Sequence, residues 1–268
     1  MEIRKIFIKS KILDKVYMNI IRPIAYLSII YPTELFRILL IKLKIDKRYN
    51  YLKKYKNVHK NERAFIIGTG PSLTLENYRL LKDEITMGCN ALCMWFDKEK
   101  YSTYFFCSDR FAYTRLEKML PRNTFVTSYL ARKANLYGKK NFQIVNNSRY
   151  NFFCKYNPKI SDNFSIVSYD FNSVVFFAIQ FAIYAGINEI YLLGVDCNYK
   201  NINIYSVDHG IRHKQEYMND VGYTMIENFK SIKKYCDSHD IKIYNASKGG
   251  MLNVFERVDL NIVLKEGK

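Results

Sequence analysis

A turn that contains two glycines is the first place in the chain where the residue types suggest chemistry. The turn consists of Gly68, Thr69, Gly70, Pro71 and Ser72. Glycine lets the backbone approach a phosphate closely, and the start of a helix attracts an anion, so Ser72 is predicted to be the N-cap of a helix over Leu73–Lys82. The turn is neither a P-loop nor a full dinucleotide-binding fingerprint. It predicts a nucleotide-binding turn, with a plain tight connection as the alternative.

A second turn, Gly194–Asp196, ends the β-rich run Glu189–Leu193. The run follows a predicted buried helix, Asn172–Ala185, which ends at a glycine. Ligands of open α/β sheets bind beyond the carboxyl ends of the strands, so residues 194–205 are expected to border the site. The aspartate of this turn is expected to act in the site, or only to cap the turn.

Apolar runs that alternate with helix-like segments must position these turns. The predicted strands are Arg63–Ile67, Ile85–Cys93 (ending near Asn90), Thr103–Cys107, Thr124–Thr127, Phe142–Val145, Glu189–Leu193 and Ile241–Tyr244. Further helices are predicted after Ser108-Asp109 and over Met218–His239. This alternation predicts an α/β, Rossmann-like fold, with a mostly parallel sheet and helices on both of its faces. The polar, aromatic stretch around 146–170 is predicted to be an inserted lid or subdomain.

The composition is that of a folded protein with an excess of positive charge. Of the 268 residues, 49% are hydrophobic and 25% are charged, which excludes wholesale disorder, and the formal net charge is +17. Residues 1–60 hold 15 Lys and Arg against 4 Asp and Glu, a net charge of +11. An anionic partner is expected to meet this segment. The six cysteines form no CxxC pair and lack zinc-like spacing, which favours free thiols in a reducing cytoplasm.

The first 60 residues are predicted to form a basic, amphipathic helical segment separate from a domain over 61–268. Residues 16–43 are apolar in bulk, but Pro23 and Pro32 are expected to divide them into two or three short helices, with no uninterrupted span of a membrane. Such helices can lie on an anionic inner-membrane surface beside the basic run Lys42–Lys60. The alternative is a helical hairpin packed on the body or on a second subunit. Nucleic acid is not expected as a partner, because no nucleic-acid module is present.

Three segments, in this order along the chain, resemble one superfamily. They are Phe65–Leu73 (FIIGTGPSL), Gly186–Asp196 (GINEIYLLGVD) and Ile243–Gly250 (IYNASKGG). The superfamily contains the family 42 bacterial sialyltransferases, the DUF115 proteins linked to flagellar glycosylation and the MptE-like pterin pyrophosphokinases. The resemblance covers about residues 61–260.

The resemblance to the sialyltransferase branch implies a GT-A-like variant of the Rossmann domain, a CMP-sugar donor and inversion without a divalent metal or other cofactor. The chain contains no Asp-x-Asp motif. In that branch the first glycine turn and an asparagine after the second strand contact the donor, which implies Gly68–Ser72 and Asn90 here. Four residues that follow strand ends complete the predicted donor site: Ser108, Asp109, Gly194 and Asp196.

The same resemblance implies three catalytic residues. Two tyrosines after the Gly-x-Asp strand hold the leaving phosphate in the family, and Tyr199 and Tyr205 stand at similar places, with packing roles as the alternative. A histidine shortly downstream is the general base, which implies His209, with His213 in reserve. Phenol groups can stabilise a leaving phosphate, and an imidazole has a pKa suited to accepting the proton of an acceptor hydroxyl.

The chain departs from the sialyltransferases at one point. They carry an arginine near the start of the buried helix, and Phe171–Val175 contains none. A sugar carboxylate would need another partner, for which Arg110, Arg212 and Lys214 are candidates.

The function expected from these residues is transfer of a nonulosonic or Kdo-type sugar from CMP to a cell-surface or lipid-linked glycan. The enzyme is expected in the cytoplasm, on the inner-membrane surface. The sequence does not decide whether it forms a homo-oligomer. A pterin-type pyrophosphokinase that uses ATP and Mg²⁺ is the alternative enzyme, although Asp109, Asp196 and Asp208 form no tight acidic pair in the sequence. A non-catalytic scaffold for glycan assembly is the third hypothesis.

Overall fold

A parallel sheet of eight strands organises the chain. The computed structural model describes Leu13 and residues 16–96, 102–154, 158–169, 171, 173–199 and 215–266. The strands of the sheet are β1 (Arg63–Ile67), β2 (Ile85–Cys89), β3 (Tyr104–Cys107), β4 (Thr124–Thr127), β5 (Phe142–Val145), β8 (Glu189–Leu193), β9 (Lys242–Asn245) and β10 (Glu256–Arg257). A separate two-stranded sheet joins β6 (Asn147–Ser148) to β7 (Ser168–Tyr169).

The strand order is β10-β9-β8-β1-β2-β3-β4-β5, and every neighbouring pair is parallel. From β1 the chain builds the sheet outward through β5, then crosses back and builds β8 to β10 on the other side of β1. The direction of winding therefore reverses between β1 and β8. In an open parallel sheet such a switch point leaves a crevice at the carboxyl ends of the two strands.

Helices cover both faces of the sheet, which confirms the predicted Rossmann-like class. In chain order the α-helices are α1 (Arg22–Ala25), α2 (Tyr31–Lys42), α3 (Leu75–Arg79), α4 (Arg110–Leu116), α5 (Ser128–Lys133), α6 (Tyr150–Phe153), α7 (Val174–Tyr184), α8 (Gln215–Asp237) and α9 (Leu260–Glu266). Short 3₁₀ helices occupy Asn50–Tyr55 and Asn90–Trp95.

Two hydrophobic clusters lie on opposite faces of the sheet. On one face α7 packs against the strands, with the ring of Phe106 5.5 Å from Phe177 and 5.4 Å from Phe181. On the other face Phe65 stacks on Tyr191 at 5.0 Å, in the cluster that also holds Tyr78 of α3. Strands buried on both faces explain why the sequence shows continuous apolar runs rather than alternation.

The N-terminal helix (17–42) differs from the prediction of short helices broken at prolines. Two π-helical turns, Tyr17–Ile21 and Tyr26–Ile30, join α1 and α2 into one continuous helix, and the joining residues keep right-handed helical dihedral angles. Each π-helical turn lies directly before a segment that carries a proline near its start. A π turn holds one extra residue, so it relieves the clash between the proline ring and the carbonyl one turn earlier.

The continuous helix also changes the expectation about membrane spans. Asn19–Lys42 is long and apolar enough to cross a membrane by length and composition, and 22% of its most apolar window is buried inside the protein. The prolines and charges that interrupt the apolar run in the sequence do not end the helix.

A buried glutamate fixes the N-terminal helix to the body of the protein. Glu34 is 6% exposed and accepts hydrogen bonds from the hydroxyls of Tyr26 at 2.6 Å and Ser148 at 2.5 Å. The backbone N–H of Arg149 also points to it, at 3.4 Å. The chain then runs along the core, where Tyr49 and Leu52 are 2% and 0% exposed. Residues 49–55 therefore belong to the packed body, inside the segment 1–60 that the sequence set apart.

The stretch predicted as an inserted lid contains the second sheet and α6. Asn146 bridges the end of β5 to the stretch, since its side chain donates to the carbonyl of Ile166 at 2.8 Å and its own carbonyl accepts from Ser168 at 2.8 Å. Gln180 of α7 donates to the carbonyl of Tyr169 at 2.8 Å. The stretch is thus bonded to both the sheet and the buried helix.

Candidate functional site

The two turns singled out in the sequence meet at the switch point. The backbone N–H of Gly68 donates to the carbonyl of Leu193 at 2.9 Å, and that of Gly70 donates to the carbonyl of Gly194 at 2.8 Å. A Cβ added to Gly68 would lie 2.5 Å from the oxygen of Gly194, and no side chain fits at that distance. Glycine is therefore needed here because two backbones touch.

Asp196 lies between the turns and is only 4% exposed. Its Oδ2 accepts a hydrogen bond from the backbone N–H of Ser72 at 2.9 Å and lies 2.4 Å from where a Cβ of Gly70 would stand. Its Oδ1 is buried and has no hydrogen-bond partner among the described residues. One carboxylate oxygen holds the first turn in place, and the other is a buried acceptor to which no described residue donates, which is a costly arrangement unless another group supplies the donor.

A third loop, after β9, joins the same place from the other side. The backbone N–H of Met251 donates to the carbonyl of Asp196 at 2.7 Å, and the hydroxyl of Ser247 accepts from the N–H of Val195 at 3.2 Å. Arg257 clamps this loop by donating to the carbonyls of Ser247 at 3.0 Å and Gly249 at 2.6 Å. The motif around Gly249 and Gly250 thus packs against Asp196 at the switch point.

Ser72 does not cap the helix as the sequence predicted. The hydroxyl of Thr74 accepts from the N–H of Asn77 at 3.1 Å, and α3 begins at Leu75 and has only five residues. The backbone N–H of Ser72 donates to Asp196 and holds Ser72 in the turn before the helix. The hydroxyl oxygen of Ser72 is buried and has no partner in the part of the chain that the structure describes.

The amides of the first turn are largely occupied inside the protein. The amide of Gly68 donates to Leu193, and the amides of Gly70 and Ser72 donate to Gly194 and Asp196 of the second turn. The amide of Leu73 donates to the carbonyl of Gly70 at 3.0 Å. The expected cradle of glycine-turn amides around a phosphate is therefore not formed by these groups. The hydroxyl groups of Thr69 and Ser72 are the donors that the turn offers instead.

The remaining predicted donor-binding residues follow the neighbouring strands on the same edge. Asn90, directly after β2, has a φ of 48° and a buried Oδ1 that no described residue contacts by a hydrogen bond. Ser108 and Asp109 follow β3, and Asp109 caps α4 by accepting from the N–H of Ala112 at 2.7 Å. Asp109 has a structural role as a cap, and Asn90 presents a polar atom without a described partner at the carboxyl end of β2.

Tyr199 follows Asp196 on the loop that leaves β8. Its hydroxyl donates to the sulfur of Met225 at 3.4 Å, and its ring lies against Gly222 of α8. Tyr205, His209 and His213 lie outside the described residues, as do Arg212 and Lys214. Arg110, the other candidate carboxylate partner, is exposed at the start of α4.

Sequence reasoning missed the residues that organise the third loop. Asn245 is fully buried, donates to the carbonyl of Leu252 at 2.8 Å and accepts from the N–H of Ser247 at 3.0 Å. Arg257 reaches the loop from β10. The signal available in the sequence was a polar residue at the end of an apolar strand, as in the other two turns, whereas nothing local marks Arg257.

The described residues contain no group of three or more His, Cys, Asp or Glu side chains that could hold a metal ion. All six cysteines are free, and only Cys154 is not buried. Burial raises the pKa of Cys93 to about 11 and the pKa of Cys197 to about 12. These thiols stay protonated near neutral pH and pack as small apolar groups.

No protein-family model, no curated protein and no solved structure matches the chain. The resemblance to the sialyltransferase superfamily therefore stays a prediction. What the geometry defines is the class: a doubly wound α/β domain in which three loops and buried polar groups meet at the switch point of the sheet.

Proposed function

We propose that the chain is a glycosyltransferase that moves an acidic sugar of the nonulosonic or Kdo type from a CMP donor to a cell-surface or lipid-linked glycan. The single observation that carries the proposal is the buried Oδ1 of Asp196, which has no donor from the described residues at the switch point of the sheet. A nucleotide is the ligand class that such a crevice suits, because its ribose brings hydroxyl donors and its phosphate brings acceptors.

Two buried atoms without described partners suit different parts of a nucleotide, one the ribose and the other the phosphate. A carboxylate oxygen repels a phosphate, so Oδ1 of Asp196 suits a ribose hydroxyl. The buried hydroxyl of Ser72 can donate to a phosphate oxygen. Asn90, at the end of the neighbouring strand, is the residue that we propose contacts the base.

The proposed reaction is a single displacement with inversion and without a metal. The acceptor oxygen forms a bond to the anomeric carbon of the sugar while the bond from that carbon to the CMP phosphate breaks and its electrons leave with CMP. The proton of the acceptor hydroxyl passes to the imidazole of His209. The hydroxyls of Tyr199 and Tyr205 donate to the departing phosphate, whose charge rises during the step.

A nucleotide panel in a thermal-shift assay tests the donor class. We expect CMP to raise the melting temperature by roughly 5 °C at a hundredfold excess over its dissociation constant, with little effect from ATP and Mg²⁺. Asp196→Asn keeps one oxygen that can accept from the N–H of Ser72 but replaces the other carboxylate oxygen with an NH₂ group, which cannot accept a hydrogen bond. This variant should therefore fold and lose most of the CMP response. A response to ATP and Mg²⁺ alone would support the pyrophosphokinase instead.

The transfer step is tested separately from binding. We expect His209→Ala to lower transfer from CMP-sugars by at least about a hundredfold while CMP still raises the melting temperature. His213→Ala is the matched control and should retain transfer. Addition of EDTA should leave the rate unchanged. Unimpaired transfer in His209→Ala, or loss of transfer on chelation, contradicts the proposed mechanism.

A further inference from the structure

Within residues 16–41, the N-terminal helix turns its charged side chains toward the protein, while most of its large apolar side chains are exposed. Between residues 16 and 41 the chain has three charged residues: Arg22, Glu34 and Arg37. The guanidinium of Arg22 lies 4.4 Å from the ring centre of Phe152, and Arg37 donates to the carbonyl of Asn147 at 3.2 Å. With Glu34 buried among Tyr26 and Ser148, all three charges contact the body. A helix on a water-exposed surface has the opposite arrangement.

The outward side of the same helix is a continuous apolar surface. Leu35 and Leu39 of α2 and Leu43 directly after it are exposed and spaced four apart, which places them on one side, and Phe36 beside them is 61% exposed. Toward the start of the helix the apolar surface continues through Ile20, Ile24, Leu27, Ile29 and Ile30. More than half of the exposed large apolar side chains in the described part of the chain lie between Leu13 and Ile45.

Basic residues follow the apolar surface directly. From residue 42 to residue 60 the chain carries eight Lys and Arg and one acidic residue, Asp46, which is bonded to Arg48 at 2.7 Å. The lysines of this basic run are exposed: Lys42, Lys44, Lys47, Lys53, Lys54, Lys56 and Lys60. Lys42, Lys44 and Lys47 are the exposed cations that come directly after the apolar surface, and an apolar surface next to cations complements a bilayer whose headgroups are anionic.

We propose that the outward side of the N-terminal helix lies in the plane of an anionic lipid surface while its inward side stays bonded to the body. The buried contacts of Glu34, Arg22 and Arg37 argue for this in-plane position, because a helix that crossed the bilayer would have to leave them and carry a carboxylate into lipid. The proposal is independent of the donor that the switch-point crevice binds.

The position of the helix relative to the crevice follows from the sheet. Glu34 contacts Ser148 and Arg149, directly after β5, so the helix reaches the carboxyl edge of the sheet. The switch point lies on the same edge, four strands away, which is roughly 20 Å. A lipid-linked substrate at the bound surface would therefore meet the same edge as the crevice.

Flotation of the full chain with vesicles tests the surface. We expect binding to vesicles of phosphatidylcholine with phosphatidylglycerol, and at least tenfold weaker binding to phosphatidylcholine alone. Phe36→Glu with Leu39→Glu should lower binding to the anionic vesicles at least tenfold. Tyr223→Glu with Ile262→Glu adds the same charge at apolar residues that are 64% and 57% exposed elsewhere, and should bind as the parent protein does. Equal binding by both double variants would overturn the proposal.

The depth of the helix separates an in-plane position from a span. Trp95 is the only tryptophan, so Trp95→Phe with Ile30→Trp places a single fluorophore at the middle of Asn19–Lys42. Lipids brominated near the headgroup should quench it more than lipids brominated at the ends of the acyl chains. Stronger quenching at the ends of the acyl chains means that the helix spans the bilayer.

A second copy of the chain is the other occupant that the experiments can reveal. If the protein binds no vesicles but forms a dimer in solution, and Phe36→Glu with Leu39→Glu disrupts that dimer, a second copy covers the surface. Either result contradicts the proposal.

Discussion

Asp196 braces two loops through one carboxylate oxygen and its backbone carbonyl, and we propose that its second carboxylate oxygen binds a ligand. Through Oδ2 and its backbone carbonyl it holds the loops that follow β1 and β9, at 2.9 Å from Ser72 and 2.7 Å from Met251. Its other oxygen is left buried, with no donor from the residues that the structure describes. A carboxylate used only to brace loops would lose stability by burying that oxygen, so the arrangement favours a residue that also binds a ligand.

The close contact between Asp196 and Gly70 leads to a prediction about that glycine. In Gly70→Ala the new Cβ would stand 2.4 Å from Oδ2 of Asp196 and 2.8 Å from the carbonyl of Gly194, so the turn must move. We expect the free energy of unfolding in urea to fall by about 1–3 kcal/mol and the proposed CMP response to be lost.

Gly138→Ala is the control for this substitution. Gly138 has a φ of 87°, but no atom of the described residues lies within 4 Å of where its Cβ would stand, so alanine there costs about 1–2 kcal/mol through backbone strain alone. In Gly138→Ala the free energy of unfolding should fall by about as much as in Gly70→Ala, while CMP should still raise the melting temperature. If Gly70→Ala behaves as the control does, the turn is not part of a nucleotide site.

At the scale of elements, seven of the eight strands of the large sheet were predictable to within a few residues, and the reason is their burial on both faces. The two-residue strands β6, β7 and β10 were not predicted. Five-residue runs such as Arg63–Ile67 and Glu189–Leu193 end at turns and are too short for a typical helix, which favours strands. The helix over Asn172–Ala185 was equally clear, since Ser173 caps it and Gly186, with a φ of 87°, ends it.

The N-terminal helix and the start of α3 could not be predicted, because distant contacts decide both. Ser72 and Thr74 are both good N-caps, and the choice depends on Asp196, which is 124 residues from Ser72. Similarly, the prolines suggested breaks, whereas π-helical turns absorb them in a helix that Glu34 holds against Ser148. Neither partner is visible from the local sequence.

Glu34 is expected to be the main attachment of the N-terminal helix. In Glu34→Ala the hydroxyls of Tyr26 and Ser148 lose their acceptor in a buried place, so we expect the free energy of unfolding to fall by about 3 kcal/mol and amide exchange over 17–42 to accelerate. Glu34→Gln keeps one acceptor oxygen and should lose about half as much. An unchanged exchange rate in Glu34→Ala would mean that apolar contacts alone hold the helix.

At the scale of the whole molecule, charge and burial are unevenly distributed. Residues 1–60 carry a net charge of +11, from 15 basic and 4 acidic residues, out of +17 for the chain. The body instead concentrates buried groups that resist ionisation. Burial raises the pKa of Cys236 to about 12, and it raises the pKa values of Cys89 and Cys107 still further. The stability of the body is therefore expected to depend on alkaline pH.

The sign of that dependence follows from which state holds the proton. A thiol in the unfolded chain ionises near pH 8.5, whereas the buried thiol of Cys93, with its pKa raised to about 11, keeps its proton. The stabilisation is complete below pH 8.5 and is lost as the pH rises toward the native pKa, at about 1 kcal/mol for each such thiol by pH 9.5. We expect the free energy of unfolding in urea to fall between pH 7.5 and pH 9.5. In Cys93→Ala this fall should be smaller by about 1 kcal/mol, whether or not the substitution itself changes the stability at pH 7.5. An unchanged pH dependence in Cys93→Ala, or rapid labelling of more than the Cys154 thiol in the native protein, would show that the buried thiols are open to solvent.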